Sequence, residues 1–264
     1  MKPIKDLVKK ILKLDAHAGV SSLKNLTYIG FTYHGYHIPA NYFDTSSICY
    51  CVGAGTDISF DIELVTRYQS QVFIFDPMPY AADHFNELLD RTSRNEVFTI
   101  GEGASTYNYN IKMKQMDRLQ FIKTGLWNEK KLVRFYNPAQ EAYAGHSIIK
   151  LQNTDKYVEA EVNTLSNIMK ELNHHQIDVL KIEIEGSEYA VIDNILKDKV
   201  NVKMILVEFD EFHHRKGKNI ETLKRIRRTT EKLFNAGYKL VHSTEYYKRT
   251  FIRNDIFDLL EKHR

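Results

Sequence analysis

A chain of 264 residues with 37 Lys+Arg against 34 Asp+Glu carries a formal charge of only +3, too weak a surplus to imply a nucleic-acid or acidic-polymer partner. With 43% hydrophobic and 27% charged residues it sits near the globular average, which excludes intrinsic disorder. The length suits one large α/β domain or two small ones, with a core that needs no disulfide or metal staple.

At the N-terminus Ile4, Leu7, Val8, Ile11 and Leu14 follow helical spacing, with lysines between them. Those lysines interrupt every apolar run, so the segment does not read as a signal peptide. Such a helix most often packs on its own domain or on a partner subunit. Peripheral contact of residues 1–14 with an anionic membrane surface is the alternative. No run reaches the roughly 18 apolar residues that span a bilayer. Leu26 to Pro39 is aromatic and alternating, with Gly30 and Gly35 as turn candidates, and predicts short strands or a hairpin. Residues 1–45 are thus expected to form an N-terminal helix and short strands, and residues 46–264 the main domain.

From Ser47 strands and helices alternate. Ile48–Val52 predicts a strand stopped by Gly53-Ala54-Gly55, and Ile58 to Tyr68 a helix. Gln71–Phe75 predicts a second strand ending at Asp76-Pro77, and Tyr80 to Arg91 a second helix. Glu96–Ile100 and Leu119–Lys123 are further strand-like runs. Thr164 to Asn173 predicts a helix, Ile177–Ile184 a buried strand stopped at Glu185-Gly186, and Ser187 to Leu196 a helix. Val202–Phe209 is a strand and Ile220 to Asn235 a long helix, with Gly237 beyond its end. This alternation predicts a parallel sheet with helices on both faces. Tyr238–His242 and Arg249–Arg253 are too close in sequence for a parallel crossover and predict an antiparallel hairpin. A mostly parallel α/β sheet of seven strands finished by such a hairpin is the expected fold. The two cysteines, Cys49 and Cys51, point the same way on one strand and read as small core residues in a reducing cytoplasm.

In open α/β sheets ligands bind beyond the carboxyl ends of the strands, where strand order reverses. Gly53-Ala54-Gly55-Thr56-Asp57 stands at that point, where glycines allow a tight turn and close ligand approach. Asp76 follows at about the 20-residue offset where a carboxylate receives ribose hydroxyls, so turn and acid together point to a nucleoside. Ile58 occupies the place of the third glycine that dinucleotide binders use around a pyrophosphate.

The runs YCVGAGTDISFD (Tyr50–Asp61), FDPMP (Phe75–Pro79), IDVLKIEIEGSEYAVI (Ile177–Ile192) and LVEFDEF (Leu206–Phe212) resemble the FkbM-type methyltransferases. The resemblance covers roughly Gly30 to Arg253. It implies a Rossmann-like class I fold, dependence on S-adenosylmethionine, and methylation of hydroxyls on sugars, glycans or sugar-linked metabolites. It further implies that Gly53, Ala54 and Gly55 form the cofactor turn, with Asp57 near the methionine end and Asp76 and Pro77 at the ribose. Leu126 and Trp127, in Gly125-Leu126-Trp127-Asn128, would lie against adenine. Lys181, Glu183, Glu185, Gly186 and Glu188 match the family's acidic motif. Two positions depart from the pattern: Cys51 replaces an acid before the turn, and Glu183 replaces an aspartate.

Methylation of an alcohol needs alignment and help in removing a proton. Glu183 and Glu185, two apart at a strand end, are expected on one face with Lys181, and these three are the first catalytic candidates. Glu208, Asp210, His213 and His214 follow the next strand, and His213 has a suitable imidazole for a base. A divalent-metal site from Asp210, His213 and Glu183 is conceivable, but the spacing does not demand one, so none is assigned. His146-Ser147 is a candidate substrate contact, and His174-His175 reads as a polar helix end. Two other readings compete: an NAD-linked Rossmann oxidoreductase, and a non-catalytic protein that binds S-adenosylmethionine and a partner through Leu223–Arg228 (LKRIRR) or the N-terminal helix. The missing glycine and the terminal hairpin weigh against the first. The retained Gly53, Asp76 and Glu183 weigh against the second.

Overall fold

The computed structural model describes residues 19–138, 145–149, 154–211, 220–244 and 248–262. The expected N-terminal helix and His213-His214 lie outside the described residues. In chain order come β1 (Leu26–Ile29), β2 (Tyr36–Pro39), β3 (Ile48–Val52), α1 (Ser59–Tyr68), β4 (Gln71–Phe75) and α2 (Pro79–Ser93). Then follow β5 (Phe98–Glu102), β6 (Ser105–Tyr109), α3 (Met113–Met116), β7 (Leu119–Ile122), β8 (Gly125–Leu126), β9 (Lys131–Tyr136), β10 (Tyr157–Asn163) and α4 (Leu165–Glu171). The last group is β11 (Ile177–Ile182), α5 (Glu188–Lys197), β12 (Val202–Glu208), α6 (Ile220–Asn235), β13 (Tyr238–Ser243), β14 (Lys248–Arg253) and α7 (Asn254–Lys262).

Seven strands form one sheet in the order β13-β14-β12-β11-β3-β4-β7. The five from β12 to β7 are parallel, and β14 runs antiparallel to both of its neighbours. The expected mostly parallel sheet with a terminal antiparallel hairpin is therefore present, as a mixed sheet. Strand order reverses at β3, whose two neighbours β4 and β11 lie before and after the crossover.

The period of two in each strand divides the core between the two faces of the sheet. Cys49 and Cys51 pack in one apolar cluster with Val179, Met204 and Leu206. Tyr50 and Val52 pack in the other, with Leu180, Ile182, Ile205 and Val207. β11 is buried along its whole length, as a central parallel strand covered on both faces must be. Lys181 belongs to the first face, in register with Cys51 on one side and Leu206 on the other.

The run at Glu96–Ile100 contributes β5, which leaves the main sheet and pairs with β6 as a separate hairpin. Gly101 and Gly103, at φ 88° and 60°, turn the chain back before it can reach β7. β9 and β10 form an antiparallel ribbon that the sequence reading did not assign, and β8 pairs with β10 in parallel. Among the described residues no helix is long and apolar enough to cross a membrane.

Candidate functional site

The ends of β3, β4 and β11 are laced together at the glycine turn. Gly53 donates its amide to Phe75 O at 2.9 Å, and Glu183 donates to Val52 O at 3.0 Å. Gly53 has φ 86°, and a Cβ there would stand 1.8 Å from Glu183 O, so only glycine lets the turn approach β11 this closely. Gly55 also has positive φ (54°), but a Cβ there would meet nothing within 4 Å. The turn is packed on one side and open on the other.

Asp76 is only 4% exposed and clamps this turn. Its Oδ2 accepts the amides of Ala54 (2.9 Å) and Gly55 (3.0 Å), and its Oδ1 accepts that of Met78 (2.9 Å). Burial raises its pKa, and those amides, with His146, pull it back. Asp57 accepts the Ser59 amide at 2.9 Å and opens α1. Pro77 borders Gly125, where an added Cβ would come within 3.3 Å of its ring. Leu126 is buried, and Trp127 is half-buried against both core clusters. The residues assigned to a cofactor thus line one continuous edge, from Asp57 through Asp76 and Pro77 to the Gly125–Trp127 segment.

The charges at the end of β11 form a buried chain. Lys181, 1% exposed, pairs with Glu183 Oε2 at 2.7 Å. Lys248 bonds the other oxygen of Glu183 and, across the strand pair, Glu208 at 3.0 Å. Burial works against the charge of Glu183, but the ammoniums of Lys181 and Lys248 outweigh it and hold the carboxyl well below its usual range. Burial pushes Glu208 up to about 7 and Asp61 to about 6, each against the pull of a lysine. Glu183 is therefore a firmly held anion and a weak base. With each oxygen engaged by an ammonium, it is poorly placed to ligate a cation.

Glu185 departs from expectation. The strand stops at Ile182 instead of Ile184, and Glu185 turns into left-handed conformation (φ 54°) before Gly186 at φ 92°. The two glutamates consequently do not share a strand face. Glu183 faces the lysines, whereas Glu185 Oε1 would lie 2.4 Å from a Cβ on Gly145. The turn is held by Asp210, which accepts the Glu185 amide at 3.2 Å, and by Glu188, which accepts the Gly186 amide at 2.9 Å. Ser147 Oγ donates to Glu185 O at 2.5 Å. A shallow surface depression lies here, lined by Tyr136, Asn137, Pro138, Gly145, Ser147, Ile149 and Glu185.

Glu188 is fully buried and its Oε2 has no hydrogen-bond partner. Burial lifts its pKa to about 8, despite the amides it accepts. Burial and the surrounding carboxylates raise Asp210 in the same direction. Between the ordinary carboxyl value and about 8 the folded state therefore holds a proton on Glu188 that the unfolded chain releases, so stability falls as pH rises through that window. Thermal melts from about pH 5 to about pH 9 should show a declining Tm, and Glu188→Gln should flatten the decline. An equally steep decline in the variant contradicts a protonated Glu188.

Residues missed by the sequence reading complete the edge. Lys248 arrives from the terminal hairpin, and its Nζ lies 4.6 Å from the centre of the Tyr36 ring. Tyr80 packs on His146 with ring centres 5.3 Å apart, beside Asp76. His34, between β1 and β2, lies within electrostatic reach of Glu183, Asp57, Lys248 and Lys181. None of these long-range meetings leaves a local signal. His174, expected at a polar helix end, bonds the buried Tyr50 hydroxyl at 2.6 Å and packs on Phe73.

The family model described as "Methyltransferase FkbM domain" matches residues 43–240. Among solved structures, a methyltransferase FkbM from Methylobacillus flagellatus KT is 14% identical, covering 80% of this chain and 44% of its own, with a TM-score of 0.46. The chain therefore spans less than half the length of that protein. A precorrin-6y C5,15-methyltransferase from Geobacter metallireducens GS-15 is 11% identical, over 81% of this chain and 80% of its own, at a TM-score of 0.39. A putative rRNA-methylase from Clostridium thermocellum is 10% identical, over 81% and 90%, at 0.42. No curated protein matches.

Proposed function

Because the chain belongs to the FkbM methyltransferase family, we propose that it binds S-adenosylmethionine at the Gly53–Gly55 turn and methylates a hydroxyl of a sugar, glycan or sugar-linked metabolite. The observation that carries this reading is the turn itself. It lies at the reversal of strand order, is clamped by Asp76 and is open over Gly55.

The residues fit the group. A carboxylate has about four acceptor positions, and three backbone amides on Asp76 leave one for a ribose hydroxyl. Trp127, half-buried beside Leu126, would supply the flat face for a base. Asp57 and the start of α1 suit the amino-acid end. When bound, S-adenosylmethionine supplies an electrophilic methyl on a sulfonium, and its thioether leaves without needing a proton. Glu185 places a carboxyl group beside this edge that complements a cation. Tyr80, His146 and Ser147 supply the mixed apolar and polar groups that suit a hydroxylated acceptor. The weak net charge supports such an acceptor over a nucleic acid. Two free, buried cysteines suit a reducing cytoplasm.

Calorimetric titration of S-adenosylhomocysteine into wild type and Asp76→Asn tests the assignment. The variant should bind more weakly by about 1–3 kcal/mol, the scale of hydrogen bonds to a charged group. Equal affinity removes Asp76 from the site.

A further inference from the structure

Glu185 stands at φ 54°, a conformation that a residue with a Cβ keeps only where its surroundings hold it. Two of the holds come from elements of the main sheet and its helices. Asp210, beyond β12, accepts the Glu185 amide at 3.2 Å. Glu188, at the start of α5, accepts the amides on either side with one oxygen, Ile184 at 3.3 Å and Gly186 at 2.9 Å. The third comes from the segment after β9, where Ser147 Oγ donates to the Glu185 carbonyl at 2.5 Å.

That segment is itself anchored. Ser147 is 5% exposed and pairs with the end of β9, donating its amide to Tyr136 O at 3.1 Å and accepting the Tyr136 amide at 2.8 Å. Its hydroxyl accepts the Ile149 amide at 3.2 Å, and the one proton it can donate is fixed on Glu185. Gly145, on the same segment, lies directly against the Glu185 side chain, where an added Cβ would stand 2.4 Å from Oε1 and 2.8 Å from Cδ. Between them His146 packs on Tyr80, in the first turn of α2, with ring centres 5.3 Å apart. The segment therefore joins α2, which opens just past Asp76, to the Glu185 turn, and it touches Glu185 at both backbone and carboxyl.

We propose that Gly145 and Ser147 are positioning residues for the methyl acceptor: they set where the Glu185 carboxylate stands, and that carboxylate accepts the hydrogen of the acceptor hydroxyl and so orients its oxygen toward the methyl group. The proposal rests on the function proposed above. An alcohol donates one hydrogen along a defined direction, so the oxygen that receives it fixes the line of attack. Ser147 holds the backbone from which the carboxylate springs, and Gly145 leaves the room in which it stands. Shifting a group of this kind by about 1 Å costs on the order of 10²-fold in rate, so a lost hydroxyl or an added methyl suffices to reveal it. Glu183 does not suit the part, because each of its oxygens is engaged by an ammonium.

The test uses the full chain as wild type, Ser147→Ala, Gly145→Ala and Glu185→Gln, and with each of the first two combined with the third. Calorimetry should show S-adenosylhomocysteine bound equally by all of them. Transfer of tritiated methyl from S-adenosylmethionine to a pool of methyl glycosides should fall by about 10²-fold in each single variant. The combined variants should be no slower than Glu185→Gln alone, because both residues act through that carboxylate. Gly145→Ala displaces only the flexible end of Glu185, so it carries the test if Ser147→Ala lowers the urea midpoint. Losses that multiply in the combined variants overturn the proposal, as does undiminished transfer by a single variant or weakened binding of S-adenosylhomocysteine by Gly145→Ala. Failure of wild type to bind S-adenosylhomocysteine is a different result and removes the cofactor reading. Wild type that binds it but methylates no glycoside removes the hydroxylated acceptor, and the proposal falls with either.

Discussion

Replacing Lys181 by methionine should destabilise the fold by about 3–5 kcal/mol, the cost of removing one partner from a buried ion pair. Lys181 lies near the end of β11 with an apolar strand on either side, and its ammonium pairs with Glu183 and is attracted by Asp61. Burial alone would drive it neutral, but those carboxylates raise its pKa instead. Without it, Glu183 keeps only Lys248, and Asp61 loses the lysine that opposes its burial. Urea unfolding should show a lower midpoint with an unchanged slope, and adding Asp61→Asn should recover part of the loss. A loss below about 1 kcal/mol would mean the pair behaves like an exposed one.

The second large effect is expected at Gly53. Alanine there must be accommodated at φ 86° with its Cβ aimed at the backbone oxygen of Glu183, so either the turn or the end of β11 must move. Strain alone is worth about 1–3 kcal/mol, and displacement of two central strands adds to it. Gly55→Ala is the control. It carries the backbone strain but meets no atom within 4 Å. On the proposed reading it should cost the strain alone, less stability than Gly53→Ala, and much affinity for S-adenosylhomocysteine. Equal stability losses at the two glycines would contradict the one-sided packing of the turn.

The contrast between these positions shows what the sequence makes readable. β3, β4 and β11 are short apolar runs punctuated by Gly-Ala-Gly, Asp-Pro and Glu-Gly, so pattern and stop signal agree, and Gln71–Phe75 and Ile220–Asn235 match the structure residue for residue. The terminal hairpin follows from a connection too short for a crossover. The β9–β10 ribbon escaped because its strands carry Lys131, Arg134, Glu159 and Glu161 and bury little. The left-handed turn at Glu185 escaped because a glutamate gives no local sign of positive φ, and that turn is imposed by Asp210 and Glu188 from other elements. The pairing of Lys181 with Glu183 was readable from their spacing. Lys248 was not, because strand register brings it to Glu183 from 65 residues downstream.

A crystal structure of the protein with S-adenosylhomocysteine shows whether the glycine turn holds the cofactor. The adenosyl ribose should lie at Asp76, with the open side of Gly55 beneath the ligand and the sulfur facing the Glu183 edge. An adenosyl group bound elsewhere, or a turn filled by the protein's own side chains, contradicts this placement.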